Sequence, residues 1–206
     1  MRLTSQTIGD LCRDDPALRG ALLRLSGVPA FALLTAIGAA VAFPIPPFGV
    51  VQTLQTLAVL LCALAMGPRL GILSMVLYVV CGIVGVPMFA EGEAGWATLL
   101  GQTGGYLVGF IACQPVAHAI IRRTDRSFRG WGAVVVAGIA VHTVVFAIGV
   151  PWLYFVRTWD PATPDPTVWG AINGGCVAFL PGMALKVAIA TLLAVMFRPE
   201  IGRRVW

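Results

Sequence analysis

From Leu25 to Phe197 the chain is a succession of apolar runs, each closed by proline, glycine or a group of arginines. A bilayer core of ~30 Å is crossed by about 20 predominantly apolar residues in a helix, and most of these runs reach that length. The composition leaves no soluble alternative. Of 206 residues, 58% are hydrophobic and 11% are charged, against about 25% charged in a typical soluble domain. So few charges cannot cover an aqueous surface, and a mean hydropathy of +0.88 excludes a disordered chain. Size and apolar content exclude a secreted disulfide scaffold. The five cysteines (Cys12, Cys62, Cys81, Cys113, Cys176) are odd in number and form no CxxC pair, so they are expected as small core hydrophobes, with no metal site.

The punctuation predicts an all-α membrane protein with six transmembrane helices. The spans run at about Leu25–Phe43, Val50–Met66, Leu70–Val86, Ala97–Ile121, Trp131–Tyr154 and Pro181–Phe197. Pro44, Pro46 and Pro47 stop the first; Gly67-Pro68-Arg69 separates the second from the third; Pro87 ends the third. The stretch from Val168 to Phe197 is too long for one crossing and is interrupted at Leu180-Pro181-Gly182. Pro181 therefore opens the last helix, and residues 168–180 form a re-entrant or interfacial piece. Residues 1–27 are expected as a cytoplasmic segment and 28–206 as the membrane domain. Asp10, Asp14 and Asp15 break the order a signal peptide requires. Pro16 can start a short helix with Leu18, Leu22 and Leu25 on one face, suited to a headgroup layer; a frayed tail is the other reading.

Charge sets the orientation. With the N-terminus inside, twelve of the fourteen cations fall on the inner side, Arg157 alone lies in an outer loop, and Lys186 lies within the last span. Cytoplasmic segments carry the excess of Lys and Arg, so both termini are expected in the cytoplasm of a multi-pass protein of the cell membrane. The pI near 9.3 is explained by this bias, and no nucleic-acid partner is implied.

Several polar or small residues stand out. Lys186, inside a span, costs roughly 2.5–3.5 kcal/mol to insert unless it is partnered or snorkels. Its functional reading is counter-ion to an anionic solute, aided by the helix start at Pro181-Gly182. In Gly101-Gln102-Thr103-Gly104-Gly105-Tyr106 the adjacent glycines permit close backbone approach and the tyrosine offers a ring and a hydroxyl. Helix packing is the alternative reading of that stripe. Gln52, Thr53, Gln55 and Thr56 head the second span, where amides must find partners or meet a solute. Ala32, Ala36 and Ala40 form a stripe at every fourth residue, fit for close packing inside the chain or against a partner subunit.

Catalysis finds no support. Ser74 and His142 are the one pair that an intramembrane hydrolase would use, and Gly71-Ile72-Leu73-Ser74-Met75 is not a nucleophile turn. No GxxxxGK[ST] phosphate loop is present, so ATP, if used, is handled by another chain. The chain is expected to be no enzyme and to bind no cofactor itself.

Motifs in order along the chain then resemble one family. Pro44-Ile45-Pro46 with Thr53-Leu54-Gln55-Thr56-Leu57-Ala58-Val59-Leu60 is similar to its first signature. Gly67-Pro68-Arg69-Leu70-Gly71, Gly85-Val86-Pro87-Met88-Phe89-Ala90, Thr103-Gly104-Gly105-Tyr106-Leu107-Val108-Gly109-Phe110 and Phe179-Leu180-Pro181-Gly182 with Lys186 continue it. Over residues 30–197 the chain resembles BioY, the biotin-binding S component of energy-coupling factor (ECF) transporters. The resemblance implies an S-component-like fold with biotin near the outer face. It implies a transmembrane coupling subunit and a pair of cytoplasmic ATPases as partners, docked through Ala32, Ala36 and Ala40. The alternative is an S component for another small carboxylate-bearing solute. The family's last motif reads Pro-Gly-Asp-x-x-Lys, whose Asp accepts a ureido N–H; here Met183 takes that place. Glu91-Gly92-Glu93-Ala94-Gly95 replaces a loop of mostly glycine, and Gln102 replaces a proline. Glu93 is the candidate substitute acceptor; the other reading is a solvated loop charge like Glu91. The site expected is thus Lys186, Tyr106, Gly104, Gly105, Thr103, Glu93, Gln55 and Met183.

Overall fold

The computed structural model describes residues 16–44, 51–122, 129–159 and 167–196. A long helix α1 (Pro16–Ala40) leads into an antiparallel pair of short strands, β1 (Ala42–Pro44) and β2 (Val51–Thr53). Phe43 pairs with Gln52 in this ribbon. Helices α2 (Gln55–Ala65) and α3 (Gly67–Ile83) follow as a hairpin, then a loop containing one 3₁₀ turn (Ala90–Gly92) and the short α4 (Trp96–Leu100). Then come α5 (Gly104–Ala112), α6 (Gln114–Ile121), the 29-residue α7 (Trp131–Trp159), α8 (Val168–Gly175), a 3₁₀ turn (Val177–Phe179) and α9 (Leu180–Met196).

Several polar side chains are buried while large apolar ones face outward. Gln52, Gln55, Thr35, Ser74, Gln114, His142 and Lys186 are buried, while Leu33, Val84, Val136 and Leu192 are exposed. Exposed apolar surface on this scale belongs in a lipid belt. Among the described residues, four helical stretches are long and apolar enough to cross a membrane: Gly20–Ala40, Gly104–Ile121, Trp131–Trp159 and Val168–Met196. Helices α2 and α3 are apolar but shorter.

Local sequence explains most boundaries. Gly67 takes φ 70°, a left-handed conformation that closes α2, and Pro68 then opens α3. Thr167 caps α8 by accepting a hydrogen bond from Gly170 N at 2.9 Å. Pro181 opens α9 as expected, and residues 168–179 form the short α8 and a 3₁₀ turn that breaks at Cys176.

The first helix is continuous from Pro16 to Ala40, through Pro29, and Leu18, Leu22 and Leu25 are exposed. Two expected boundaries are corrected. Val51–Thr53, expected within the second span, form strand β2, and the helix starts at Gln55. Non-helical chain at membrane depth survives only where protein or a water-filled cavity surrounds it, and the ribbon pairs the inner edges of its two strands. The expected fourth span, Ala97–Ile121, is broken at Gly101, which is extended between α4 and α5; from Gly104 to Ile121 the chain is one apolar helical stretch with a single-residue break at Cys113, before Pro115. At the second break the proline supplies no donor for the preceding turn. Residues 1–15, the proline-rich residues 45–50, the arginine-rich segment after Arg122 and the tail from Phe197 lie outside the described residues. Cys62 and Cys113 are buried, Cys81 and Cys176 half-buried, and all four are free thiols, as core packing requires.

The core gathers Leu60, Val59, Met75, Tyr78, Ile121, Val134, Val141 and Val145. Helix α7 is its spine, and glycines let its neighbours lie close. Gly109 on α5 meets the Val145 backbone, and Gly138 on α7 receives the Val187 side chain of α9.

Candidate binding site

At one end of the bundle a cavity of about 290 Å³ is enclosed by α2, the loop after α3, α5, α7, α8 and α9. This is the small end of the range for ligand cavities, ~300–1,000 Å³. Its walls are mostly apolar: Phe89, Leu107, Phe110, Val145, Phe146, Leu153 and Phe179. Set among them are Thr53 from the end of β2, Gln55 and Thr56 from the start of α2, and Glu91 and Glu93 from the loop. Gln102, Thr103 and Tyr106 come from the start of α5, with Arg157 from α7 and Lys186 from α9. An apolar chamber with a few convergent polar groups is what a small amphiphilic solute requires.

Lys186 is 4% exposed, and its amino group donates to Thr56 Oγ1 at 2.8 Å. A snorkelling lysine would extend toward solvent, so this geometry removes that reading. Gln55 donates to the Tyr78 hydroxyl at 2.7 Å, which donates to Met88 O at 2.9 Å. This relay joins α2, α3 and the following loop. The loop is fixed further by Gly95 N donating to Gly82 O at 2.7 Å and by Phe89 N donating to Glu93 O at 3.1 Å. The Phe89 ring is buried beside Gly82 and edge-on to Tyr78, with centroids 5.7 Å apart. Glu91 has φ 60°, a left-handed conformation that costs a non-glycine residue about 1–2 kcal/mol. Two carboxylates are thereby held at the cavity wall by buried anchors.

Tyr106 wedges between α7 and α8. Its ring packs on Gly149, and its hydroxyl donates to Gly175 O at 2.9 Å while the residue lines the cavity. Thr103 lines the wall and donates to Thr98 O at 3.3 Å. Five of the eight expected residues (Lys186, Tyr106, Thr103, Glu93 and Gln55) therefore meet at one cavity.

The other three do not line it. Gly104 and Gly105 face away, where a Cβ on either would press on Trp152, and on the Leu99 or Ile148 carbonyl respectively. Trp152 is fixed there by its indole N–H, which donates to Gly101 O at 2.9 Å. These glycines let α5 pack on α7. Met183 is half-buried against the core. Pro181 and Gly182 do not line the cavity either, so the start of α9 is no open anion site. Gly182 lies against the buried side chain of Gln52, whose amide donates to Ala178 O at 2.7 Å.

Arg157 was expected only as a loop charge, and it is the residue sequence reasoning missed. It sits in the last turn of α7, lines the cavity, and donates from Nη1 to Gly170 O at 3.2 Å. The available signal was its isolation as a lone cation at the cation-poor end. Ser74 donates to Leu70 O at 2.8 Å and His142 Nδ1 lies 2.8 Å from Gly138 O, each on its own helix. Neither lines the cavity, and they form no nucleophile–base pair. In the alanine stripe Ala32 is buried, Ala36 half-buried and Ala40 exposed. Among the described residues no three His, Cys, Asp or Glu side chains group as metal ligands.

The sequence matches the BioY family model over residues 17–203. The chain belongs to the BioY family. It is 33% identical over 168 residues to the biotin transporter BioY of Thermotoga maritima, covering 82% of this chain and 91% of that one. With the biotin transporter BioY of Rhodobacter capsulatus it shares 29% over 174 residues, covering 82% and 90%. The backbone is similar to a crystal structure of the S-component for biotin from an ECF-type ABC transporter. The TM-score is 0.74 at 18% identity, covering 87% of this chain and 93% of that one. That likeness establishes an S-component-like fold. As a BioY-family member the chain is a multi-pass membrane protein of a transporter family rather than an enzyme family.

Proposed function

We propose that the chain is the biotin-binding S component of an ECF transporter, with the cavity as its biotin site. The observation that carries this reading is Lys186: a buried cation at an apolar cavity, whose amino group donates to a neutral hydroxyl. A solute carboxylate completes its neutralisation, and a bicyclic apolar body fills the space between Phe89, Phe146 and Phe179. Glu93 accepts the ureido N–H that the family's Asp takes, since Met183 cannot; an ionised acceptor makes the stronger hydrogen bond. Gln55, Thr103 and Tyr106 complete the polar wall, with Arg157 as a second cation.

All six helical passes then cross the bilayer, the short α2 and α3 among them, with the ribbon β1–β2 completing the crossing at the cavity end. The cavity faces outward and both termini are cytoplasmic, because the arginines gather at the other end. The chain passes its solute on with a transmembrane coupling subunit and two cytoplasmic ATPases, which supply the energy; it binds no nucleotide itself. Ala36 and Ala40 form the accessible part of the docking stripe, and Ala32 packs inward.

The test is calorimetric titration of the purified chain with biotin and with biotin amide. Saturable biotin binding with much weaker amide binding is expected. Equal binding of the two removes Lys186 from the carboxylate, and no binding of either removes biotin as the solute.

A further inference from the structure

A second cavity, of about 510 Å³, lies at the opposite end of the bundle, where α2 turns into α3. Arginines from three separate helices converge on it: Arg24 from α1, Arg69 from the first turn of α3, and Arg122 at the end of α6. His118, one turn before Arg122, joins them, and Met66, Pro68 and Leu70 give the cavity an apolar wall. Among the described residues no carboxylate lines it, and the two described carboxylates, Glu91 and Glu93, stand at the biotin cavity. Helices α1, α3 and α6 bring three arginines to one recess, Arg24 and Arg69 exposed and Arg122 only 8% exposed. Guanidinium forks match phosphate oxygens in pairs, and basic pockets between membrane helices at the cytoplasmic face suit anionic headgroups.

We propose that this cavity is a phosphate-ester site that holds the headgroup of an anionic phospholipid of the inner leaflet. The arginines take the phosphate, and the Met66–Leu70 turn takes the glycerol and the first methylenes of the acyl chains. A free phosphate offers the same oxygens without the apolar part, so the turn favours the lipid source. The proposal rests on the membrane reading and is independent of which solute fills the other cavity.

The test is native mass spectrometry and thermal unfolding of the full chain in neutral detergent, with phosphatidylglycerol, phosphatidylcholine or inorganic phosphate added. Phosphatidylglycerol is expected to stay bound and raise the unfolding temperature, and phosphatidylcholine to do so far less. Arg24→Gln and Arg69→Gln, both exposed positions that the fold tolerates, are each expected to lower phosphatidylglycerol retention roughly fivefold, while biotin affinity stays as in the wild type. Equal retention of the two lipids, or unchanged retention in both variants, overturns the site. Stabilisation by inorganic phosphate equal to that by phosphatidylglycerol overturns the lipid source. Loss of biotin binding in the wild type bears only on the other cavity.

Discussion

Lys186 Nζ donates to Thr56 Oγ1 at 2.8 Å across 130 positions of sequence. The bond fixes the ammonium of α9 against the first turn of α2, at the wall of the candidate cavity. Lys186→Met keeps the bulk of the stem and removes the charge. Breaking one side of a buried charge pair typically costs 2–5 kcal/mol, so biotin affinity should fall at least roughly 30-fold by calorimetry. Thr56→Val should cost less, because the ammonium keeps its carboxylate partner. Biotin amide should bind Lys186→Met about as well as it binds wild type; an equal loss of biotin and amide affinity would separate Lys186 from the carboxylate.

The two loop carboxylates should behave differently. Glu93 is the expected ureido acceptor, and a hydrogen bond to a charged group contributes ~1.5–3 kcal/mol. Glu93→Gln should therefore weaken biotin binding by roughly tenfold or more, and Glu91→Gln should change it little. Met183→Asp should rescue Glu93→Gln only if the half-buried side chain turns into the cavity. Wild-type affinity in Glu93→Gln sinks the assignment.

The relay from Gln55 through Tyr78 to Met88 is structural in the first instance. Tyr78→Phe leaves the Gln55 amide and the Met88 carbonyl without their partner. A buried group left unsatisfied costs ~1–3 kcal/mol, so the unfolding temperature should drop by several degrees. Biotin affinity should fall too, because the loop carrying Glu91 and Glu93 loses an anchor. An unchanged melting curve would show that the loop does not depend on this relay.

Gly105 separates helix packing from ligand contact. A Cβ there meets Trp152 and the Ile148 carbonyl, so Gly105→Ala should destabilise the chain by ~1–3 kcal/mol in thermal unfolding. Biotin affinity of the folded fraction should stay within a few-fold of wild type. A large affinity loss with unchanged stability would return Gly105 to the binding site.

Orientation and docking are read with two engineered probes. A cysteine replacing Thr163 should react with an impermeant reagent in intact cells, and one replacing Ser127 should not. Ala40→Trp, at an exposed position, should reduce co-purification with the coupling subunit while biotin binding persists. Undiminished co-purification removes Ala40 from the interface. Ala32→Trp should instead destabilise the isolated chain, since Ala32 is buried.

Sequence alone determined the class, most spans and five of the residues at the cavity. Apolar run length, proline and glycine punctuation and arginine asymmetry are local or additive quantities, and a lysine inside a span demands a partner wherever the chain goes. Tertiary structure decided what each polar or small residue faces. Tyr106 and Gly105 are adjacent, yet a rotation of ~100° per residue turns one to the cavity and the other onto Trp152. Arg157 reaches the cavity because α7 continues to Trp159 and brings its last turn against Gly170. The replacement of a helical turn by the ribbon β1–β2 was equally invisible, because the pairing joins residues on either side of a proline-rich segment. The convergence of Arg24, Arg69 and Arg122 on one recess likewise depends on how three helices cross, a fact that no single run of the sequence contains.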